Sequence, residues 1–187
     1  EYPNHLDQLS GLEMEYELHS FSHPTPETIR HDQEIHKGWE SYRDFFCTDP
    51  LGYRSPSGVT SGEMFGTLHH LGFQFDSSCI PSYRPGVYNG LHLPRDPYYI
   101  GDTGLMEYPV GVASSLLRVP VSLSYLKLFG LPYRSALHFL TLPQLLVFSF
   151  HLHDLEVLPS FRSLPGNPAL KFIFSRMYGR GGGLKAL

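Results

Sequence analysis

The chain has 187 residues and a formal net charge of −4, from 14 Lys and Arg against 18 Asp and Glu. That length suits one domain with a sizeable apolar core, and neither sign of charge forms the block that would mark a nucleic-acid partner or an anionic membrane surface. Two cysteines, Cys47 and Cys79, make no disulfide framework and leave the compartment open; the longest strongly apolar stretch, 144–152, is far short of the ~20 residues of a spanning helix, so no transmembrane segment is expected.

Residues 13–19 (EMEYELH) alternate acidic with apolar side chains, the period-2 pattern of a strand. A helix is expected over about 26–46, with Thr25 as N-cap, Pro26 at the first helical position and Ile29, Ile35, Trp39, Tyr42 and Phe46 as its apolar stripe. Asp49-Pro50 stops it, LGYR (51–54) reads as a short strand, and SPSG is turn chemistry. A capped helix over 61–71, ended by Gly72, leads into a strand, FQFD (73–76). Residues 80–104, rich in Pro and Gly, read as an irregular excursion. LMEYPV (105–110) reads as a strand, 117–122 as an extended piece, 124–130 and 133–142 as helices, and LLVFSFH (145–151) as the most strongly buried strand. The division expected is a catalytic domain over 1–160 and a helical tail over 161–187 ending in linker-like GRGGG. Strands alternating with helices, with polar residues at strand C-termini, point to a parallel α/β architecture whose chemistry lies at those ends.

Two histidines, His19 and His23, close the first strand at a spacing of four, a pattern that by itself decides nothing. Three segments in order, HSFSH (19–23), GYRSPSG with LGFQFDSS (52–58 and 71–78), and FSFHLHDLE (148–156), together resemble the polysaccharide deacetylase family, carbohydrate esterase family 4 or the NodB-homology domain. The resemblance implies a distorted (β/α) barrel with a divalent metal, usually zinc, held in part by the two imidazoles of an HxxxH segment, here His19 and His23. It implies that Arg54 orients an aspartate base, and that Pro56 and Ser57 form a turn bringing a backbone N–H to the oxyanion. It makes His151 the acid that protonates the leaving amine. The family commonly has an aromatic residue where this chain has Ser57. His153 falls on the same strand face as His151, and only the match of Phe150-His151 to the family's motif chooses between them. Asp76 and Asp154 can each be read as holding an imidazole in its tautomer or as capping a strand-end turn. The other histidines, among them His31, His36, His69, His70 and His92, are assigned no role and are expected to be exposed.

The family's first motif, a strand ending in two adjacent aspartates that supply the base and the third metal ligand, has no counterpart, because the sequence contains no Asp-Asp pair. Only 18 residues precede His19 and residue 1 is Glu, so the expectation is a barrel lacking its first strand through truncation, with a degenerate homologue as the rival. The activity implied is metal-dependent removal of N-acetyl groups from amino-sugar polysaccharides or oligosaccharides. Hydrolysis of another linear or cyclic amide C–N bond, or a catalytically dead carbohydrate-binding homologue, are the alternatives.

Overall fold

The structure is a computed structural model and describes residues 12, 14–85 and 87–155. The expected tail over 161–187 therefore lies outside the described residues.

The first described helix, α1 (His31–Phe46), starts five residues later than the sequence pattern suggests. Thr25 does cap a turn, its carbonyl accepting from the N–H groups of Thr28 and Ile29 at 3.0 Å each, but that turn closes once and Arg30 is extended (φ −117°, ψ 91°) before the helix begins. Cys47 ends α1 in the left-handed region (φ 57°), its N–H donating to the Arg43 carbonyl at 2.8 Å. A two-residue strand, β1 (Gly52–Tyr53), and a short 3₁₀ turn over Pro56–Gly58 follow. Helix α2 (Gly62–His70) is capped as its sequence predicts: the Ser61 hydroxyl accepts from the Met64 N–H at 3.1 Å.

Beyond it lie β2 (Phe75–Asp76), a hairpin of β3 (Tyr83–Arg84) and β4 (Tyr88–Asn89), then β5 (Tyr98–Tyr99) and β6 (Met106–Glu107). Two more helices, α3 (Leu123–Phe129) and α4 (Leu131–Leu137), precede the last described element, α5 (Leu152–Leu155). The main sheet has the order β1-β2-β6-β5, parallel except for β5. Residue 18 extends it on one side through a parallel bridge to Tyr53, and Val147 continues it on the other through a parallel bridge to Val110; Ser149 bridges Ser122. The fold is thus mixed α/β with a parallel sheet and helices, and the described ladders do not close into a ring.

Two apolar clusters support it. Ile35, Met64 and Leu68, wholly buried, join Leu18, Tyr53, Phe73 and Leu105 where α1 and α2 cover the sheet; burying side chains of that size stabilises by roughly 1.5–3 kcal/mol each. Ala113, Val121, Leu126 and Tyr133 form the second, under α3 and α4. Gly52 is dictated by packing, since a Cβ there would overlap the Phe75 ring of the neighbouring strand. The segment 145–151 corrects the sequence reading. It contributes bridges rather than a long buried strand: Leu146 and Phe148 pack against the second cluster, while Leu145 and Phe150 are exposed.

Candidate active-site cleft

The C-terminal ends of β1 and β2, the loop after residue 18, the β3–β4 hairpin and the segment ending at residue 151 surround one cleft of about 280 Å³. His19, His23, Arg54, Ser57 and His151 all line it, so five of the side chains singled out in the sequence converge from three distant segments. Pro56 is buried in the turn beneath. Asp76 and Asp154 are wholly buried and stand behind the wall rather than in it.

The His19 and His23 rings lie 5.0 Å apart between centroids, edge to face. The Nδ1–H of His19 donates to the Arg54 carbonyl at 2.7 Å, a bond that leaves Nε2 as the ring nitrogen with a lone pair. Desolvation within the cleft pushes the His19 imidazole below its ordinary pKa, the Arg54 carbonyl opposes this, and the neighbouring His23, Arg54 and His151 push it further down. The imidazole is therefore held neutral, the form that ligates metals. Among the described residues no group of three or more His, Cys, Asp or Glu side chains could hold a metal ion. The donor set present is two imidazoles, which suits part of a zinc shell and leaves the remainder to groups other than those described.

The loop that carries these histidines is anchored by a residue the sequence reading did not single out. Glu34 on α1 accepts from the N–H groups of Phe21 (3.1 Å) and Ser22 (2.7 Å) through one oxygen and from the Ser22 hydroxyl (2.9 Å) through the other. Burial pushes the Glu34 carboxyl up, but the Ser22 and Phe21 hydrogen bonds outweigh it and the net displacement is downward. The anchored loop is strained: Ser20 and His23 adopt φ of 62° and 53°, and Ser57 across the cleft adopts 57°. Non-glycine residues in that region persist where their surroundings hold them, and they collect at functional sites.

The strand-end sequence Asp76-Ser77-Ser78 is the scaffold of the opposite wall. Arg54 donates through Nε to the Ser77 carbonyl (2.8 Å) and through Nη2 to the Ser77 hydroxyl (2.6 Å), which in turn donates to the Tyr108 carbonyl (2.7 Å). The Ser78 hydroxyl accepts from the Ser55 N–H (2.8 Å) and donates to Asp76 Oδ1 (2.7 Å), so Asp76 steadies the Pro56 turn through one serine. Asp76 is also paired in register with Glu107 on β6, and the two buried carboxyls meet. Desolvation first, then the contact with Asp76, pushes Glu107 up to about 10. Asp76 thus works at the strand-end turn, and no imidazole is among its hydrogen-bond partners.

His151 is exposed, and its Nδ1 is 3.7 Å from Asp154 Oδ2. Asp154 accepts from the His151 N–H (2.9 Å) and from the Ser124 hydroxyl (2.6 Å), capping α5 with its imidazole partner within ion-pair reach. The side chain of His153, within α5, lies outside the described residues. His31, expected to be exposed, is buried at the start of α1, and its Nδ1 has no hydrogen-bond partner among the described residues. The hairpin contributes Arg84, Val87 and Tyr88 to the cleft, and α3 contributes Tyr125. Its signal was present in the sequence, as the turn-forming dipeptide Pro85-Gly86 between tyrosine-flanked segments.

No family model matches the chain, and no curated protein sequence matches it. Among solved structures it is similar to a Mycobacterium smegmatis protein with the provisional description polysaccharide deacetylase, at 22% identity and a TM-score of 0.45, over 58% of this chain and 35% of that one. The chain thus spans about a third of that protein's length.

Proposed function

We propose that this chain carries the metal-binding and acid side of a polysaccharide deacetylase site, on a barrel of the (β/α) type, acting on N-acetylated amino sugars. One observation carries the reading: HxxxH, the arginine–proline turn and the Phe150-His151 segment, distant in sequence, meet in a single cleft. In this reading His19 Nε2 and His23 are two ligands of a divalent ion such as zinc. When bound, such an ion polarises the amide carbonyl and lowers the pKa of water. The Pro56–Ser57 turn offers a backbone N–H to the developing oxyanion, and the fixed Ser78–Asp76 network keeps that turn from reorganising during reaction. His151 delivers the proton to the leaving amine, with Asp154 behind it stabilising the charged imidazole.

The base is assigned to an aspartate pair not contained in this sequence. A second reading, a carbohydrate-binding homologue without catalysis, is favoured by one fact: among the described residues no Asp or Glu lines the cleft. Acetate release from N-acetylated chito-oligosaccharides in the presence of zinc separates them. The 187-residue chain alone is expected to give little or none, and adding a strand that ends in two adjacent aspartates ahead of residue 1 to restore it. In that active form His151→Ala should lower kcat by about 10²–10⁴-fold with zinc content unchanged. Turnover by the short chain above a His19→Ala control would refute the assignment of the base. An equal loss in His153→Ala, with His151→Ala harmless, would move the acid to His153.

A further inference from the structure

We infer that the saccharide taken by this cleft carries a negative charge, a ring carboxylate, and that Arg84 is the residue that selects it. The inference deepens the reading above and rests on it.

The chain as a whole is acidic, with net charge −4, yet the cleft is not. Among the described residues its charged and titratable lining consists of Arg54, Arg84, three imidazoles and two tyrosines, with no carboxylate. The nearest acids are withdrawn and occupied. Asp76 and Glu107 are buried and take the Ser78 and Cys79 N–H groups, and Asp154 is buried and takes Ser124 and the backbone of His151. Of the two guanidinium groups, Arg54 is committed to Ser77 by two hydrogen bonds. Arg84 is not so committed: it is exposed on β3 and makes no ion pair among the described residues.

A surface arginine without a carboxylate is ordinary on a flat face, where water serves it. Placed on the wall of a concave cleft of one sign, it contributes to a field that the low-dielectric walls concentrate, and an anionic ligand gains from it. The hairpin that presents Arg84 also presents Tyr88, which lines the cleft together with Tyr125 of α3. A sugar ring lying along these tyrosines would bring a substituent within reach of the guanidinium, whose fork geometry matches a carboxylate. A single exposed cation balances the single charge of a uronate more closely than the near-dianion of a phosphate monoester. A divalent ion beside His19 and His23 would make the cleft more positive still.

The test is calorimetric titration of the full 187-residue chain, with and without zinc chloride, by two tetrasaccharides: neutral chitotetraose, and one alternating glucuronate with N-acetylglucosamine. The acidic probe should bind about fivefold tighter, the range of an exposed charge pair strengthened by a charge-assisted hydrogen bond. That advantage should vanish in Arg84→Gln and shrink in 0.5 M salt, where the ~10 Å screening length of dilute buffer becomes a few ångströms. Chitotetraose should bind both chains equally, which also shows that the variant is folded. Equal or weaker binding of the acidic probe, or a preference for it that survives Arg84→Gln, overturns the inference and leaves the saccharide reading standing. Binding of neither probe refutes the saccharide reading and this inference with it.

Discussion

The buried pair Asp76–Glu107 predicts an unequal response to two isosteric substitutions. Glu107 Oε1 accepts the Cys79 N–H at 2.9 Å, whereas Oε2 is buried with no conventional donor near it, as a carboxylic acid donating to Asp76 would require. Asp76 accepts at both oxygens, from the Ser78 N–H at 3.1 Å and the Ser78 hydroxyl at 2.7 Å, which suits the anion. Burial pushes the Asp76 carboxyl up as well, and these hydrogen bonds favour the proton that the pair shares on the Glu107 side. Glu107→Gln keeps an acceptor for Cys79 and a donor for Asp76, and should cost under about 1 kcal/mol. Asp76→Asn turns one acceptor into a donor facing a donor. The loss of a charged hydrogen bond, about 1.5–3 kcal/mol, with an unsatisfied buried group, about 1–3 kcal/mol, gives roughly 3–5 kcal/mol. At this chain length that difference is on the order of 10 °C in Tm.

The pH dependence has a definite sign. Folded Glu107 keeps a proton that the unfolded chain releases above its ordinary value of 4.5, so its contribution to stability is fully present below that pH and is lost as pH rises toward about 10, by at most about 1.4 kcal/mol per pH unit. Urea unfolding of the wild type and both variants at several pH values between 5 and 9 checks this, and Glu107→Gln should flatten the slope. Equal destabilisation by the two substitutions, or a wild-type slope that survives in Glu107→Gln, would refute the shared-proton assignment.

Two further outcomes are expected. Glu34→Ala removes three hydrogen bonds to the HxxxH loop and should weaken zinc binding by roughly 10–100-fold, the effect of losing a group that orients metal ligands, with partial rescue by Glu34→Gln, read by titration with zinc. Unchanged zinc affinity would show that the loop holds its shape unaided. His31 is pushed below its ordinary value by desolvation, with Glu63 opposing, so it contributes stability that is present above 6.5 and lost as pH falls through the lower folded value. Between pH 7 and 5 the unfolding midpoint of His31→Leu should rise relative to that of the wild type, and a constant difference would remove His31 from the acid response.

The convergence of the motif residues on one cleft was legible in the sequence where it depends on short, ordered motifs. Arg54 follows β1, His19 and His23 follow the Leu18 bridge and His151 follows the Ser149 bridge, and all four line one cleft. Helix α2 was legible through its Ser61 cap. What was not legible depends on contacts between distant segments. Glu34 is one acidic residue on a helix, indistinguishable in sequence from its solvated neighbours until the loop at 20–23 folds against it. Glu107 reads as the polar half of an alternating strand, and only its register with Asp76 reveals a buried acid pair. Residues 145–151 have the composition of a core strand, but composition cannot say whether a second layer covers both faces, and Leu145 and Phe150 face outward. The histidine at 31 failed in the opposite sense: a polar residue at a helix start is expected in water, and here α2 packs over it.

The central claim is that His19 and His23 are metal ligands in one cleft, and zinc titration of the 187-residue chain tests it most directly, with His19→Ala, His23→Ala and the remote control His36→Ala. The account predicts one weak site, because two imidazoles are fewer than the three protein ligands of catalytic zinc centres, lost in either cleft variant and retained in the control. Zinc binding that persists in both His19→Ala and His23→Ala, or that vanishes in His36→Ala instead, would contradict it.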